Sequence, residues 1–287
     1  MYNYKTADLH LHTTASDGSD TPATLVAKAK ELGLEVISIT DHDTLAGLEE
    51  ALSLSNEDIE IIPGIEFSCH AYVENGFDCH ILGYGFDKDN EAMRAAIEHG
   101  RQMRFAKLES RITYLKDNFD ITLSDDEIAE LRSYNSVAKP HIARILIRRG
   151  LAESVADAID KYLKGAKFPD DRIDAGEAID AIHRAGGVAV YAHPIGGERE
   201  RRLLPYEAIL RIKALKELGI DGIEVYYSRY SEKDQEFLKT IAFTESLYMS
   251  AGSDYHGENK TVKLGEICAE ERCINPDNVS VLKKIKR

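Results

Sequence analysis

The sequence predicts an α/β protein carrying one helical insertion, and three observations lead there. Short β-branched or apolar runs alternate with amphipathic helical patterns through the first ninety residues and again after about residue 168, as in a largely parallel sheet wrapped by helices. The stretch from about Asn90 to about Lys167 breaks that rhythm with four helical patterns in succession and no convincing strand. The length, 287 residues at 43% apolar content, suffices for a sizeable core and excludes a disordered chain.

Each element follows from local signals. ADLHLH (7–12) precedes TPATLVAKAKELGL, where Pro22 suits a first helical turn and Gly33 a C-terminal stop. EVISIT (35–40) precedes the helical pattern TLAGLEEALSL, and EIIPGIEFSCHAY and FDCHILGYGF read as two strands joined by the turn-like ENG at 74–76. After the insertion, AIDAIHRAGG leads into VAVYAH (188–193), EAILRIKALKELG into IDGIEVYY (220–227), and a polar helix into LYMSAGSD (247–254). Residues 101–150 hold ten Lys or Arg against seven Asp or Glu, a local excess in an otherwise acidic chain.

That acidic balance, 36 basic against 50 acidic residues for a net charge of −14, repels duplex DNA or RNA. No run reaches the roughly 20 apolar residues of a membrane helix, and the start MYNYKTADLH lacks a signal-peptide pattern, so the expectation is a cytoplasmic protein without a membrane partner. Cys69, Cys79, Cys268 and Cys273 form neither a disulfide framework nor a zinc-knuckle spacing and read as reduced.

The residues with chemical potential gather at strand ends. His10 and His12, two apart on one strand, share a face. Asp41-His42 follows VISIT, Glu66 follows IIPGI, His80 precedes ILGY, His193 follows VAVYA, and Asp254 with His256 follows MSAGS. In βα barrels the C-terminal strand ends face one mouth. Imidazoles and carboxylates converging there describe a site for several metal ions.

These segments resemble the polymerase and histidinol phosphatase (PHP) family: DLHLHTTASDG (8–18), ITDHD (39–43), PGIEFS (63–68), HILGYG (80–85), AHP (192–194) and GSDYHG (252–257) match its motifs in order over nearly the whole chain. The resemblance implies a distorted (βα)7 barrel, and the basic excess and absence of strand patterns at 90–167 lead to the expectation that this helical insertion caps the site. The resemblance also implies two to three divalent ions, Mn, Fe or Zn. His10, His12, Glu66 and Asp254 are then expected to hold one ion, Glu66 with His80 and His193 a second, and Asp17, His42 and His256 a third. Glu66, His193 and Asp254 carry the expected catalytic roles, because a carboxylate bridging two ions keeps them close enough to activate a shared water near neutral pH. The expected reaction is phosphate ester hydrolysis.

VAKPHIARILIRRG (137–150) supplies candidate substrate contacts. Pro140 opens a helix whose first turn suits an anion, with Lys139, His141 and Arg144 within about one turn. The segment is similar to a Gly-Arg-Pro-His-Ile-Ala motif of the PHP nucleotide phosphoesterases and exoribonucleases, with Ala138 and Lys139 at its first two positions. Lysine keeps the charge there but lacks the bidentate fork. Arg199, in GGERERR, is a further candidate for closing over a substrate phosphate. Arg148 and Arg149 read as a solvated helix end, and His70, His99 and His183 as surface or packing residues. Glu224 has no assigned role, Tyr226, Tyr227 and Tyr230 serve packing before base stacking, and Asp41 and Asp43 can orient His42. The expected substrate is a small phosphorylated molecule, a nucleotide such as a nucleoside 3′,5′-bisphosphate or a short oligonucleotide end. The runner-up is a histidinol-phosphate phosphatase. A non-catalytic metal-binding module is disfavoured by the full ligand set and the absence of polymerase sequence.

Overall fold

The computed structural model describes residues 6–165, 172–198, 200–266 and 279–285. Strands β1 (Ala7–Leu11), β2 (Val36–Ile39), β3 (Glu60–Ala71), β4 (Phe77–Tyr84), β6 (Val188–Tyr191), β7 (Gly222–Tyr227) and β8 (Tyr248–Gly252) follow one another around a nearly closed barrel, and the two-residue β5 (Ile173–Asp174) pairs with β3 off this path. A parallel bridge from Leu11 to Tyr255 and the bond from the Asp254 N–H to the His10 carbonyl bring the two ends together. Every residue of β1, β2, β6 and β7 is buried, as expected of strands covered on both faces.

The sheet is mixed, which the alternation alone does not predict. β3 and β4 form an antiparallel hairpin, and β4 is antiparallel to β6 as well. A strand that runs backwards presents its N-terminal half to the mouth. This explains why His80 precedes its apolar run while the other site residues follow theirs.

Helices α1 (Pro22–Glu31), α2 (Leu48–Ser53), α7 (Ala175–Arg184), α8 (Pro205–Glu217), α9 (Glu232–Thr244) and α10 (Val281–Ile285) belong to the barrel sequence. Between β4 and β5 come α3 (Glu91–Phe119), α4 (Asp125–Ser133), α5 (Lys139–Arg148), α6 (Val155–Ala158) and a π-helical turn at Ile159–Leu163. Asn90 starts α3 by accepting the Ala92 N–H at 2.9 Å, and the left-handed Asp120 ends it. Ser124 and Glu127 close a capping box on α4. These helices share an apolar cluster of their own that includes Leu108, Leu115, Leu131, Ile142, Leu146 and Leu163.

No described helix is long and apolar enough to cross a membrane. Cys69 and Cys79 are free and buried, whereas Cys268 and Cys273 lie outside the described residues.

Candidate metal centre

The nine predicted ligand residues come together at one mouth of the barrel. Three overlapping groups, His10-His12-Glu66-Asp254, His12-Asp17-His42-His256 and His42-Glu66-His80, each have ligand atoms within 4.8 Å of one another. Glu66 is at the centre, 1% exposed. Its Oε2 lies 3.3 Å from His10 Nε2, 3.1 Å from His12 Nε2 and 3.1 Å from His42 Nδ1. Its Oε1 lies 3.0 Å from His80 Nδ1 and 3.4 Å from His193 Nε2. The two oxygens therefore serve two different sets of imidazoles, the arrangement a bridging carboxylate needs.

Several imidazole nitrogens aimed into this centre, His10 Nε2, His12 Nε2, His42 Nδ1 and His256 Nε2, are buried and make no hydrogen bond. Burying such groups without a partner costs free energy unless something else meets them. The protonation chemistry shows the same demand for positive charge. Burial pulls the His10 imidazole down, but Glu66, Glu224 and Asp254 drive it well above its usual range. Burial likewise opposes a charge on His193, yet Glu200 and Glu66 raise it to about 10. His12 is instead depressed to about 4 by burial and by its neighbour His256. Mixed imidazole and carboxylate donors around a buried point that calls for a cation fit a divalent metal ion.

The supporting residues are as informative as the ligands. Glu224, fully buried, accepts from His10 Nδ1 at 2.9 Å with one oxygen and from the His193 N–H at 2.8 Å with the other, leaving His10 Nε2 for the cluster. Asp254 divides its carboxylate. Oδ1 faces His10 and His12 Nε2, each at 3.4 Å, while Oδ2 accepts from the Tyr227 hydroxyl at 2.9 Å and Lys260 Nζ at 2.6 Å. Although burial pushes the Asp254 carboxyl up, Lys260 and the neighbouring imidazoles hold it well below the usual carboxylate range. Glu200 places Oε2 3.2 Å from His193 Nδ1 and forms a further ligand-type group with His80 and His193. Tyr227 is thus more than barrel packing. Lys260 and Glu200 carry no recognisable motif, and the one signal for Glu200 is its loop GGERERR, in which Arg199 is the candidate that the sequence offers. Arg199 lies outside the described residues.

Asp41 and Asp43 work through the backbone rather than on the His42 ring. Asp41 accepts from the Thr13 N–H at 2.8 Å and from Ser16 Oγ at 2.5 Å, pinning the loop that carries Asp17. Asp43 accepts from the Ser68 N–H at 2.9 Å and pairs with Arg104, which also reaches Ser68 Oγ at 2.7 Å. His70, His99 and His183 pair with Asp78, Glu177 and Asp221, away from the cluster.

A cavity of about 640 Å3 opens between the strand ends and the helical segment. Asp17, His42 and His80 line it, and so do the cations Arg104, Lys107, Arg111, Lys139, Lys164 and Arg172, together with Asp43, Asp160 and apolar residues. Gly100, Met103, Arg104, Lys107 and Arg111 on α3 follow the helical period, so one face of that helix looks into the cavity. Burial first, then Arg111, Lys107 and Arg172, push the Lys139 ammonium below its ordinary range, as expected where cations crowd.

Of the three substrate contacts expected on α5, only Lys139 lines this cavity. His141 is 2% exposed, its Nδ1 accepts the Ala138 N–H at 2.9 Å, its ring stacks on Tyr134, and burial depresses it to about 4. It is therefore a neutral helix cap rather than a cation. Arg144 reaches Asn259 Oδ1 at 3.4 Å, and Asn259 in turn donates to the Asp17 carbonyl at 2.7 Å, so this arginine ties the helical segment to the loop bearing Asp17. Arg148 and Arg149 pair with Glu130 and Glu127 as a solvated helix end should.

Known proteins similar to this chain are phosphoesterases. A 5'-3' exoribonuclease Rnm of Salmonella typhimurium is 34% identical over 271 residues, covering 90% of this chain and 87% of that protein. A 3',5'-nucleoside bisphosphate phosphatase of Chromobacterium violaceum is 29% identical over 254 residues, covering 87% and 86% respectively. The solved structure of a proposed metal-dependent phosphoesterase from Bifidobacterium adolescentis superposes with a TM-score of 0.81 at 33% identity, over 98% of this chain and 96% of that one. The PHP domain model itself matches residues 8–168, and with the barrel and its cluster in place the chain belongs to the PHP domain family.

Proposed function

We propose that this metal-dependent phosphoesterase acts on a nucleotide carrying two phosphates, such as a nucleoside 3′,5′-bisphosphate, or on the 5′-phosphorylated end of a short RNA. The observation that carries the reading is the shared lining of this cavity, where Asp17, His42 and His80 of the cluster meet Lys107, Arg111, Lys139 and Arg172. One phosphate at the cluster and a second among these cations match a substrate with two separated phosphates. The Chromobacterium relative is named a 3',5'-nucleoside bisphosphate phosphatase and the Salmonella relative a 5'-3' exoribonuclease, which supports a nucleotide or RNA substrate.

Two to three divalent ions, Mn, Fe or Zn, supply an activated water and polarise the phosphoryl oxygens when bound. His10, His12, Glu66 and Asp254 would hold the first, Glu66 with His80 and His193 the second, and Asp17, His42 and His256 the third. Glu66 keeps the two halves of the cluster in register through its divided oxygens. Glu224 orients His10, and Glu200 with Glu224 fixes His193 from both sides. Arg104, braced by Asp43 and Ser68, holds α3 against the mouth so that its cationic face meets the substrate. These cations gather in one cavity of a chain whose net charge is −14, which suits a small phosphorylated ligand and not a duplex.

The test uses metal-replete protein with a nucleoside 3′,5′-bisphosphate and a small aryl phosphate. Lys139→Ala removes a charge-assisted contact worth about 1.5–3 kcal/mol, so KM for the bisphosphate rises roughly tenfold or more with kcat little changed. Aryl phosphate hydrolysis stays near wild type. Equal losses on both substrates contradict the assignment.

A further inference from the structure

A smaller cavity of about 440 Å3 beside the cluster has no role in the reading above, and His80, His193 and Glu200 all line it. Ligand atoms of these three residues lie within 4.8 Å of one another. Two imidazoles and a carboxylate therefore converge on this cavity, and the carboxylate is none of those that serve the cluster.

His193 fixes where the two sets of donors part. Its Nε2 lies 3.4 Å from Glu66 Oε1 and its Nδ1 lies 3.2 Å from Glu200 Oε2, so two carboxylates flank opposite edges of one ring. His80 also commits one nitrogen to the cluster, with Nδ1 3.0 Å from Glu66 Oε1, and it borders both this cavity and the cation-bearing one. Glu200 is held by its own turn. Its Oε2 accepts the Gly197 N–H at 2.8 Å, and its backbone N–H donates to the Gly197 carbonyl at 3.3 Å. A Cβ on Gly197 would lie 3.1 Å from His193 Nδ1, so glycine leaves room beside that nitrogen. Two of the arginines that line the cavity are already paired, Arg172 with Asp78 at 3.2 Å and Arg201 with Glu207 at 2.8 Å, so their charge does not bar a cation.

We propose that His193 Nδ1, Glu200 and His80 form a separate, inhibitory zinc site on the cavity side of the His193 ring. The inference rests on the assignment of the second cluster ion to Glu66, His80 and His193. Two imidazoles and one carboxylate, with the cavity open at the fourth position, match the three-ligand sets that zinc takes, whereas manganese favours oxygen donors and a higher coordination number. Glu200 serves this position alone, while Glu66 is shared among several imidazoles, and an ion outside the cluster escapes the repulsion of the other divalent ions. The inhibition follows from the imidazole itself. A neutral ring has one lone pair to give, and its other nitrogen carries the proton. When Nε2 serves the cluster, the proton is on Nδ1 and Glu200 accepts it. When Nδ1 binds zinc, the proton is on Nε2 and faces Glu66, so His193 is lost to the second cluster ion. The inner and outer positions are therefore alternatives.

The test adds zinc to manganese-loaded protein and locates it in crystals by anomalous scattering at the zinc edge, while electron paramagnetic resonance follows manganese released to solution. Zinc is expected between His193 Nδ1 and Glu200, manganese is released as zinc binds, and excess manganese restores bisphosphate hydrolysis. Glu200→Gln keeps an acceptor for the Gly197 N–H but loses the anionic ligand. The zinc concentration for half-inhibition, taken against each protein's own zinc-free rate, should therefore rise roughly tenfold or more. Gly197→Ala, which crowds His193 Nδ1 and alters no ligand, should raise it as well. Zinc found only around Glu66, or half-inhibition unmoved in both variants, overturns the outer site and leaves the cluster assignment standing. A protein that takes up neither ion at either place overturns both.

Discussion

At the scale of single residues, the carboxylates carry the argument because each divides its oxygens between partners. Asp254 gives Oδ1 to the imidazoles and Oδ2 to Tyr227 and Lys260. The ammonium at 2.6 Å fixes which oxygen faces the cluster and opposes a divalent ion electrostatically. Lys260→Met removes that repulsion while Tyr227 still holds the carboxylate, so calorimetric titration of metal-free protein should show on the order of tenfold tighter binding of the first ion. Unchanged or weaker binding refutes this role. The histidines of the cluster were legible in the sequence because each sits in or just beyond a short apolar run that reads as a strand. Lys260, Tyr227 and Glu200 were not. Their importance comes from what they touch across the barrel, and a lone lysine or glutamate in a loop looks the same whether it meets solvent or a buried carboxylate.

At the scale of elements, the helix that opens at Lys139 shows where local reading succeeds and where it stops. The Pro140 signal places the helix start correctly within a residue, and Lys139 does line the cavity. His141 looked like a further cation from its spacing, but its ring turns back to accept the Ala138 N–H. His141→Ala should therefore cost about 1–3 kcal/mol of stability by leaving that buried N–H unpaired, read as a lowered unfolding midpoint of the purified protein. A neutral cap contributes no charge to phosphate binding, so its KM effect should fall well short of that of Lys139→Ala. The missed cations lie on α3, where Arg104, Lys107 and Arg111 fall on one face at helical spacing. That stripe was present in the sequence as a local basic excess. Which face of a 29-residue helix meets the barrel is decided by packing and not by the helix itself.

The crowding around Lys139 also has a pH consequence. Burial and the nearby Arg111, Lys107 and Arg172 lower its pKa from the ordinary lysine value. Phosphate recognition needs the protonated form, so it is complete below that lowered pKa and fades as pH rises through it. KM for the bisphosphate should rise in alkaline solution earlier than an ordinary lysine allows, and Lys139→Arg, which stays charged, should remove that rise. A profile identical in wild type and Lys139→Arg contradicts the assignment.

For the whole molecule, the alternation of strands and helices made the α/β class and the helical insertion legible, and the tight ENG turn made the antiparallel β3–β4 pair legible too, whereas the antiparallel β4–β6 pairing was not, because the helical insertion separates those two strands in sequence. The result is a barrel mouth that gathers residues 10 through 256 around Glu66, with the basic face of α3 across the cavity from them. The central claim is that this cluster is a metal centre on which phosphate ester hydrolysis depends. It is tested most directly by stripping the protein of metal, titrating Mn back while following both bound ion and bisphosphate hydrolysis, and repeating the titration with Glu66→Ala. The account predicts no turnover in the stripped protein, recovery as two to three ions bind, and a folded Glu66→Ala protein that binds fewer ions and stays inactive. Undiminished hydrolysis by stripped protein, or turnover by Glu66→Ala above a few percent of wild type, would contradict it.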